Sequence, residues 1–348
     1  MSNNGVPHAP IFVVGPPRSG TTLMGQILGR HPQVFSPGET HFFEDLWSRR
    51  GQLGPLTHET EIGAAVDCLL TLFGRFNFPN TQRLVEQVIE REALVAQVKS
   101  AGGGYAALYS AFMGQLARSQ GKQLFVDDTP RHLYHLPAIW QLWPEARIIG
   151  CVRDPRDFLC SYKHYWRRST ESERIKALYH PIVTSLLWRS AAGLLLRYGG
   201  AIEPIAPWQA GRRLLLVHYE QLVSQPDMEI ERVCRFLGLA FTPAMTAVES
   251  HNSSFASAAT GIFTTSVGRW HGDLTLEEVW WLQKLARRPM VALGYTPDRV
   301  QIAPARLAAI LAQLPWAFLR ALWANRQKRG PFWSYLWRRL MALVGQSL

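Results

Sequence analysis

Four short runs of consecutive apolar residues are spaced along the first two thirds of the chain. They are rich in Ile, Val, Leu or Phe and cover residues 11–15, 123–126, 147–152 and 213–218. Continuous apolar runs of this length are typical of parallel strands that are buried on both faces. We therefore predict four strands of a central parallel sheet.

Between these runs, apolar residues recur at the three- and four-residue spacing of amphipathic helices. One such stripe covers residues 23–28, and a longer helical stretch includes residues 84–98. Strands that alternate with helices predict an α/β fold of three layers, in which helices flank the central parallel sheet.

The domain organisation follows from where these patterns change. Residues 1–9 form an N-terminal extension, and residues 10–300 form one large domain. Within that domain, the segment from about 45 to 120 has no convincing strand, so we predict a helical insertion there. Residues 251–270 are rich in Ser, Thr, Ala and Gly, and a long loop of this kind is more often functional than idle. Residues 301–348 form a helical tail.

The positive charge is concentrated in that tail. The chain carries a net charge of +11, and residues 301–348 contain seven Arg and Lys and no Asp or Glu, which leaves +4 for the rest. Four tryptophans lie among these arginines on apolar helical stripes, which suits a membrane interface. A helical pair packed on the domain or on a second subunit, as in a homodimer, is the alternative. Because charge is nearly balanced elsewhere, we expect no nucleic-acid partner.

The four cysteines form no CxxC pair and no spacing with histidine that suits zinc. We expect neither a disulfide scaffold nor a metal site. The first ten residues lack a basic region followed by an apolar stretch, and no apolar run reaches the roughly 18 residues that span a bilayer. The expected location is cytoplasmic, with peripheral attachment to the inner face of a membrane as a variant of it.

The first predicted strand runs directly into the loop Gly-Pro-Pro-Arg-Ser-Gly-Thr-Thr at residues 15–22, and a helical stripe follows. A strand, a glycine-bounded loop and a helix start point backbone N–H groups and a positive dipole end at an anion. The glycine spacing matches nucleoside-triphosphate loops, but Thr21 occupies the lysine position. This favours a ligand with a shorter anionic chain, for which Arg18 supplies the cation. A turn without a ligand is the alternative.

A second polar group follows the run at 147–152. Arg153 stands at the carboxyl end of that predicted strand, where open α/β sheets bind ligands, and Ser161 follows about two helical turns later. The alternative is an ion pair between Arg153 and Asp157 that only orders the turn, and this motif alone favours that alternative.

Together, the two motifs resemble those of the sulfotransferase superfamily, whose donor is 3′-phosphoadenosine 5′-phosphosulfate (PAPS). The similarity covers most of residues 10–296, and it is closer to tyrosylprotein sulfotransferases and their bacterial relatives. It implies a P-loop-like fold, a sulfotransferase domain at residues 10–300, and adenosine 3′,5′-bisphosphate as the product. The stretches that carry it are residues 14–24, 31–34, 38–43, 218–223, 234–238, 268–270 and 293–295.

The resemblance also implies which residues bind the donor. The loop would cradle the 5′-phosphosulfate, and an Arg and Ser eight residues apart would bind the 3′-phosphate. A tyrosine would lie near the adenosine, and a later arginine would contact the phosphates. In this chain, the donor-binding residues would be Arg18, Ser19, Gly20, Thr21, Thr22, Arg153, Ser161, Tyr219 and Arg269.

For catalysis, the resemblance implies Glu39 as the general base, assisted by Arg18 in the loop. Burial beside Phe42 and Phe43 would raise the pKa of Glu39 towards useful values. His41 is the competing base, and a surface glutamate that caps the Thr40 turn is the alternative role for Glu39. Ser254 matches an active-site serine of the tyrosylprotein enzymes to within a residue.

One position departs from the pattern of the relatives. They usually carry a Lys where this chain has Asp128, and that Lys is thought to stabilise the sulfuryl group. Either Arg131 or His132 substitutes for it, or the donor geometry differs, or the activity is altered.

A nucleoside-triphosphate-dependent kinase or ATPase is the second candidate, because residues 124–127 resemble the apolar run plus Asp that holds magnesium in such proteins. Thr21 argues against it. A non-catalytic, membrane-associated binding protein is the third. If the chain is a sulfotransferase, peptide tyrosine, a sugar and a glycolipid hydroxyl all fit as acceptors.

Overall fold

The computed structural model describes residues 9–75, 79–168, 172–199, 213–248 and 261–324. Five strands form a parallel sheet in the order β2-β3-β1-β4-β5. The strands are β1 (Ile11–Val14), β2 (Val34–Phe35), β3 (Leu124–Asp127), β4 (Arg147–Val152) and β5 (Leu214–His218). The predicted α/β class with a central parallel sheet flanked by helices is confirmed.

All four predicted strands are present, with ends that shift by at most one residue. Strand β2 is an addition that periodicity does not detect, because it has two residues. It pairs in parallel with β3, Val34 opposite Leu124 and Phe35 opposite Phe125. Strand β1 pairs with the other edge of β3, with Ile11 opposite Val126.

Helices occupy most of the described chain between the strands. Short 3-10 or π turns cover Phe42–Leu46, Trp47–Arg49, Pro130–His135, Tyr165–Arg168 and Pro243–Thr246. The α-helices are α1 (Thr21–Gly29), α2 (Arg50–Leu53), α3 (Glu59–Arg75), α4 (Pro79–Val88), α5 (Arg91–Ser100), α6 (Gly104–Ser119), α7 (Leu136–Leu142), α8 (Pro155–His164), α9 (Ser172–Leu178), α10 (Pro181–Gly199), α11 (Tyr219–Ser224), α12 (Pro226–Leu237), α13 (Trp270–Asp273), α14 (Leu276–Ala292), α15 (Pro304–Ala312) and α16 (Leu314–Ala324).

The chain divides into two compact units. Among the described residues, the first unit comprises those within 1–14, 21–149 and 230–248, and the second those within 15–20, 150–229 and 249–348.

An aromatic cluster forms the core of the first unit. The ring of Phe12 on β1 stacks on Tyr109 of α6 with centroids 6.2 Å apart and meets Phe43 edge-on at 6.4 Å. The rings of Phe42 and Tyr109 lie 4.6 Å apart. All four rings are fully buried. Each such ring removes a large apolar area from water, so this cluster fixes the segment after Glu39 against β1 and α6.

The second unit is built around Trp188 on α10, which is fully buried. Its indole N–H donates a 3.1 Å hydrogen bond to the backbone carbonyl of Arg153 at the end of β4. Helix α14 begins with a capping box, in which the side chain of Thr275 accepts from the backbone N–H of Glu278 and the Glu278 side chain accepts in return. The hydrogen bond from Trp188 holds the backbone that follows β4.

Among the described residues, no helix has both the length and the apolar character needed to cross a bilayer. The tail sequence has two apolar helical stripes, and the first of them, formed by Leu307, Ile310, Leu311 and Leu314, lies on α15 and the start of α16. The second stripe, at residues 332–344, lies outside the described residues.

Candidate functional site

The loop after β1 is shaped by two close approaches that only glycine permits. A Cβ on Gly15 would collide with the backbone carbonyl oxygen of Cys151. Gly20 has φ 94°, and a Cβ there would lie 2.7 Å from the ring of Tyr219. Arg18 also adopts the left-handed conformation, with φ 69°. A non-glycine residue held there is strained, and such strain is concentrated at ligand sites.

Arg18 and Ser161 lie together, whereas the resemblance pairs Ser161 with Arg153. The Nε of Arg18 donates to the Oγ of Ser161 on α8 at 3.3 Å. Its guanidinium carbon lies 4.8 Å from the centroid of the Tyr165 ring. The guanidinium is half-buried, and a hydroxyl at its edge and an aromatic ring at its face hold it in place.

Arg153 joins the same cluster. It donates to the backbone carbonyl of Arg18 at 3.3 Å and to that of Ser266. Its guanidinium carbon lies 4.5 Å from the centroid of the Tyr219 ring, and the Tyr219 hydroxyl is 2.7 Å from the Oγ of Ser266. The structure therefore brings together four of the predicted donor-binding residues and adds Ser266, which the sequence placed only within a long polar loop.

Two buried polar atoms at this cluster lack a hydrogen-bond partner among the described residues. They are the Oγ of Ser19 and the Nε of Arg153. An unmatched buried donor costs about 1–3 kcal/mol, so such atoms call for an explanation. A hydroxyl and a guanidinium N–H beside a glycine-bounded loop suit the oxygens of a phosphate or sulfate group.

The alternative role for Arg153, an ion pair with Asp157, is not what the structure shows. Asp157 accepts from the backbone N–H of Gly268 at 2.7 Å and of Trp270 at 3.2 Å. Burial raises the pKa of Asp157, although the positive charge of Arg153 opposes this. Asp157 thus fixes the turn that carries Arg269, whose own Nε donates to the carbonyl of Thr265 at 2.8 Å.

The remaining predicted donor residues, Thr21 and Thr22, open helix α1, with Thr21 buried. Ser254 lies outside the described residues.

In the first unit, the two candidate bases are paired with each other. The Nε2 of His41 lies 3.1 Å from the Oε2 of Glu39. His41 has φ 52°, and its backbone N–H donates to the Oγ1 of Thr129 at 3.2 Å. The expected burial of Glu39 beside Phe42 and Phe43 does not occur, because both rings point into the core while the Glu39 side chain is 29% exposed.

Asp127, at the end of β3, is fully buried and saturated with hydrogen bonds. It accepts from the hydroxyl of Thr40, from the hydroxyl of Tyr109 at 2.7 Å, and from both the backbone N–H and the hydroxyl of Thr129 at 2.9 and 2.6 Å. A carboxylate occupied in this way has no lone pair directed at a metal ion. The hydrogen bonds of Asp127 therefore do not favour its interpretation as a magnesium ligand.

Asp128, the departure from the pattern of the relatives, is also buried. Its carboxyl group packs against α1, where a Cβ on Gly25 would lie 2.5 Å from its Oδ2. Its Oδ1 has no hydrogen-bond partner among the described residues. Burial, reinforced by the charges of Glu39 and Asp127, raises the pKa of Asp128 well above its ordinary range.

His132 lies between two carboxylates, which sequence reasoning did not foresee. Its Nε2 is 3.3 Å from Glu44 and its Nδ1 is 3.4 Å from Asp127, and it is fully buried. Burial alone would lower the pKa of His132, but the two carboxylates raise it overall. Burial alone would raise the pKa of Glu44, but the charge and hydrogen bond of His132 lower it overall. His132 is therefore held between two carboxylates inside the core of the first unit, whereas Arg131 is exposed.

Comparison with known proteins gives a consistent result. The model of a family described as "Sulfotransferase family" matches residues 10–243, well over half of the chain. The nodulation protein NoeE of Sinorhizobium fredii is 28% identical over 302 residues, which cover 82% of this chain and 65% of that protein. Protein-tyrosine sulfotransferase 1 of Danio rerio is 25% identical over 312 residues, covering 82% of this chain and 72% of that one.

Among solved structures, the sulfotransferase domain from the curacin biosynthetic pathway superposes with a TM-score of 0.51 at 18% identity. The match covers 83% of this chain and 99% of that domain. At this identity the likeness shows the fold alone. The chain spans less than two thirds of the length of NoeE, so similarity to that protein does not by itself fix an activity.

Proposed function

The chain belongs to the sulfotransferase family, and from this premise we propose that it transfers a sulfuryl group from PAPS to an acceptor hydroxyl. The observation that carries the proposal is the cluster of Arg18, Arg153 and Ser161 around the glycine-bounded loop. In the transfer, a bond forms between sulfur and the acceptor oxygen while the bond from sulfur to the 5′-phosphate oxygen breaks. The acceptor hydroxyl gives up its proton. Like phosphoryl transfer, this reaction depends on positioning and electrostatics.

The buried polar atoms without partners support a donor site at this loop. Arg153 keeps two of its N–H groups on backbone carbonyls, which fixes the guanidinium and leaves Nε for an oxygen of the donor. In the proposal, Arg153 and Ser161 bind the 3′-phosphate. Ser19, with the backbone N–H groups that lead into α1, binds the 5′-phosphosulfate.

Three further donor residues have supporting roles in the proposal. Tyr219 holds the face of Arg153 and borders the adenosine. Arg269 contacts the phosphates from the turn that Asp157 fixes. Arg18 faces the charge that develops on the sulfuryl oxygens.

Glu39 is the proposed general base. Its carboxylate is partly exposed and can therefore reach an acceptor proton, whereas Asp127 and Asp128 are buried. His41 lies 3.1 Å away and orients the carboxylate. Asp128 holds its own proton in this proposal, so it adds no second negative charge beside Glu39.

The kinase or ATPase alternative loses its main support because Asp127 is occupied by three neighbouring residues. The acceptor class is proposed from the relatives. One of them is a protein-tyrosine sulfotransferase, which favours a tyrosine hydroxyl in a peptide as the first acceptor to try. Sugar and glycolipid hydroxyls are the next acceptor classes to try.

The proposal is tested by incubating the full chain with PAPS and each acceptor class, and by mass spectrometry of the products. A sulfuryl adduct on one class supports the proposal. Calorimetry should also detect binding of adenosine 3′,5′-bisphosphate, with adenosine 5′-monophosphate binding more weakly because it lacks the 3′-phosphate. Magnesium-dependent ATP hydrolysis without any sulfuryl transfer would overturn it.

A second proposal concerns helix α16, which exposes an apolar face. Trp316 and Trp323 are 64% and 69% exposed, and Leu319 between them is 54% exposed. Their spacing places all three on one side of the helix, with Arg320 beside them. Exposed tryptophans next to arginine are typical of helices that lie in a bilayer interface. Since residues 301–348 carry seven positive and no negative side chains, we propose an anionic membrane surface as the partner of this face.

A further inference from the structure

Three side chains with different metal-ligand chemistry meet on one side of helix α8. Cys160 and His164 are four residues apart on α8, so they share a face of the helix. Asp273 is the last residue of α13 and lies 113 positions after Cys160 in the sequence. Ligand atoms of all three lie within 4.8 Å of one another.

Two of the separations between these atoms are close to those of a tetrahedral site. The Sγ of Cys160 is 3.7 Å from one carboxylate oxygen of Asp273, and the Nε2 of His164 is 3.4 Å from the other. Around zinc, with metal–sulfur bonds of about 2.3 Å and metal–nitrogen or metal–oxygen bonds of about 2.0–2.1 Å, neighbouring ligand atoms of a tetrahedron lie roughly 3.3–3.6 Å apart. Because sulfur and nitrogen face different oxygens of Asp273, a turn of the carboxylate and an approach of the other two side chains would bring three ligand atoms onto one ion.

We propose that Cys160, His164 and Asp273 bind a zinc-class divalent cation, with a water molecule as the fourth ligand. A thiolate, an imidazole and a carboxylate are the donor set that zinc prefers. On binding, a bond forms between sulfur and the metal, and the thiol proton passes to solvent. The site is reached from the Asp273 side, because that side chain is 35% exposed while Cys160 is buried.

One neighbouring cation, Lys163, does not compete for these ligands. The ammonium of Lys163 is paired with Glu278 at 2.8 Å, and it also donates to the backbone carbonyl of Asp273, not to its carboxylate. This second bond holds Asp273 in place beside α8. The charge of Lys163 is therefore balanced, and its contact positions one of the proposed ligands.

The position of the site gives the ion a structural role. Cys160 precedes Ser161, and α13 follows the turn that carries Arg269. A metal would tie α8 to α13 in addition to the hydrogen bonds that Asp157 makes. The spacing of Cys and His alone did not predict the site, since the third ligand is far along the chain.

Cobalt(II) is the probe for the test, because thiolate-bound tetrahedral cobalt has characteristic near-ultraviolet and visible absorption. The chelator-treated full chain is titrated with cobalt, and zinc is then added as a competitor. We expect a thiolate-to-cobalt band that saturates at a single equivalent and disappears on addition of zinc. Cys160→Ser should abolish the band. His164→Gln and the surface-accessible Asp273→Asn should each weaken cobalt binding by at least about tenfold.

Cys68→Ser is the matched control, since it removes a thiol on α3 and should leave the band unchanged. Absence of the band in the unaltered chain, its persistence in Cys160→Ser, or unchanged cobalt affinity in Asp273→Asn would each overturn the proposal. Circular dichroism of each variant distinguishes loss of a ligand from loss of the fold. Binding of adenosine 3′,5′-bisphosphate by the same samples reports on the donor site separately, because the metal proposal does not depend on it.

Discussion

The guanidinium of Arg153 lies over the ring of Tyr219, with its central carbon 4.5 Å from the ring centroid. The Tyr219 hydroxyl contacts the side chain of Ser266, and the backbone carbonyl of Ser266 accepts a hydrogen bond from Arg153. Arg153 is therefore held at its face and at two of its edges before any ligand arrives. A side chain ordered in advance loses little conformational entropy on binding, which favours tight recognition of an anion.

The first prediction concerns this arrangement. Arg153→Ala should weaken binding of adenosine 3′,5′-bisphosphate by roughly tenfold to a hundredfold, because a hydrogen bond to a charged group contributes about 1.5–3 kcal/mol. Tyr219→Phe keeps the ring and should change affinity only slightly, whereas Tyr219→Ala should approach the effect of Arg153→Ala. Calorimetric titration measures all three. Full affinity in Arg153→Ala would remove this residue from the donor site.

The second prediction separates binding from chemistry. Glu39→Gln preserves size but cannot accept a proton, so turnover should fall by about 10²–10⁴-fold while adenosine 3′,5′-bisphosphate binding stays nearly unchanged. His41→Gln should lower turnover less, since it only removes the partner of the carboxylate. Glu145→Gln, at an exposed position, is the control. Normal turnover in Glu39→Gln shows that another group accepts the proton.

The sequence predicts the strands of this fold well because buried parallel strands are continuous apolar runs. It also predicts the loop at residues 15–22 and the place of Arg153 at the end of a strand, since glycine spacing and strand ends constrain where the backbone turns. The contact between Arg18 and Ser161 is not predicted, because the sequence pattern pairs Ser161 with Arg153. Strand β2 is not predicted, because an element of two residues has no periodicity. The polar composition of the long loop likewise does not predict that Ser266 contacts both Arg153 and Tyr219.

The environment of the carboxylates is the part that sequence patterns do not predict. Residues 127 and 128 are both aspartates, yet one accepts hydrogen bonds from three residues and the other has an unpartnered oxygen. Their difference depends on Thr40 and Tyr109, which are distant in sequence. The pairing of Glu44 with His132 has the same origin.

The third prediction tests that buried pair. His132→Gln leaves the Glu44 and Asp127 carboxylates without their cation, and breaking a buried ion pair costs about 3–5 kcal/mol of unfolding free energy. Adding Glu44→Gln to this variant should recover part of the loss. Urea unfolding measures both. A double variant less stable than His132→Gln would contradict the charge explanation.

The same pair has a pH dependence with a definite sign. Because the folded pKa of His132 is raised, its stabilising contribution is complete below the unfolded value of about 6.5 and is lost as pH rises through the folded pKa. The difference in unfolding free energy between the unaltered chain and His132→Gln should therefore become smaller as the pH rises through the folded pKa of His132.

The fourth prediction concerns the exposed face of α16. Replacing Trp316 and Trp323 with Ser should reduce sedimentation with anionic phospholipid vesicles, since both indoles are exposed and contribute apolar area to an interface. Trp281→Phe on α14 is the control, because that indole is partly buried and donates to the carbonyl of Leu307. Equal sedimentation of the double variant and the unaltered chain would exclude a membrane partner for this face. Concentration-dependent dimerisation lost in the double variant would assign it to a second copy instead.

The fifth prediction follows from the raised pKa of Asp128. Between the unfolded pKa of about 4 and the higher folded value, the folded chain holds a proton that the unfolded chain releases, so stability falls as pH rises through this window. Asn resembles the neutral acid and does not titrate. Asp128→Asn should therefore match the unaltered chain near pH 4 and exceed its unfolding free energy increasingly as pH rises, by at most about 1.4 kcal/mol per pH unit.

Asp67 provides a control of opposite sign for that measurement. Its hydrogen bond and ion pair with Arg91 lower the pKa of Asp67, so its contribution is present above the unfolded value and is lost as pH falls. Asp67→Asn should thus become less stable than the unaltered chain as pH rises from acid, whereas Asp128→Asn becomes more stable. Urea unfolding across this range measures both differences. If the unfolding free energies of Asp128→Asn and the unaltered chain change with pH in parallel, Asp128 ionises normally in the fold. The proposal that Asp128 is a neutral neighbour of Glu39 would then be wrong.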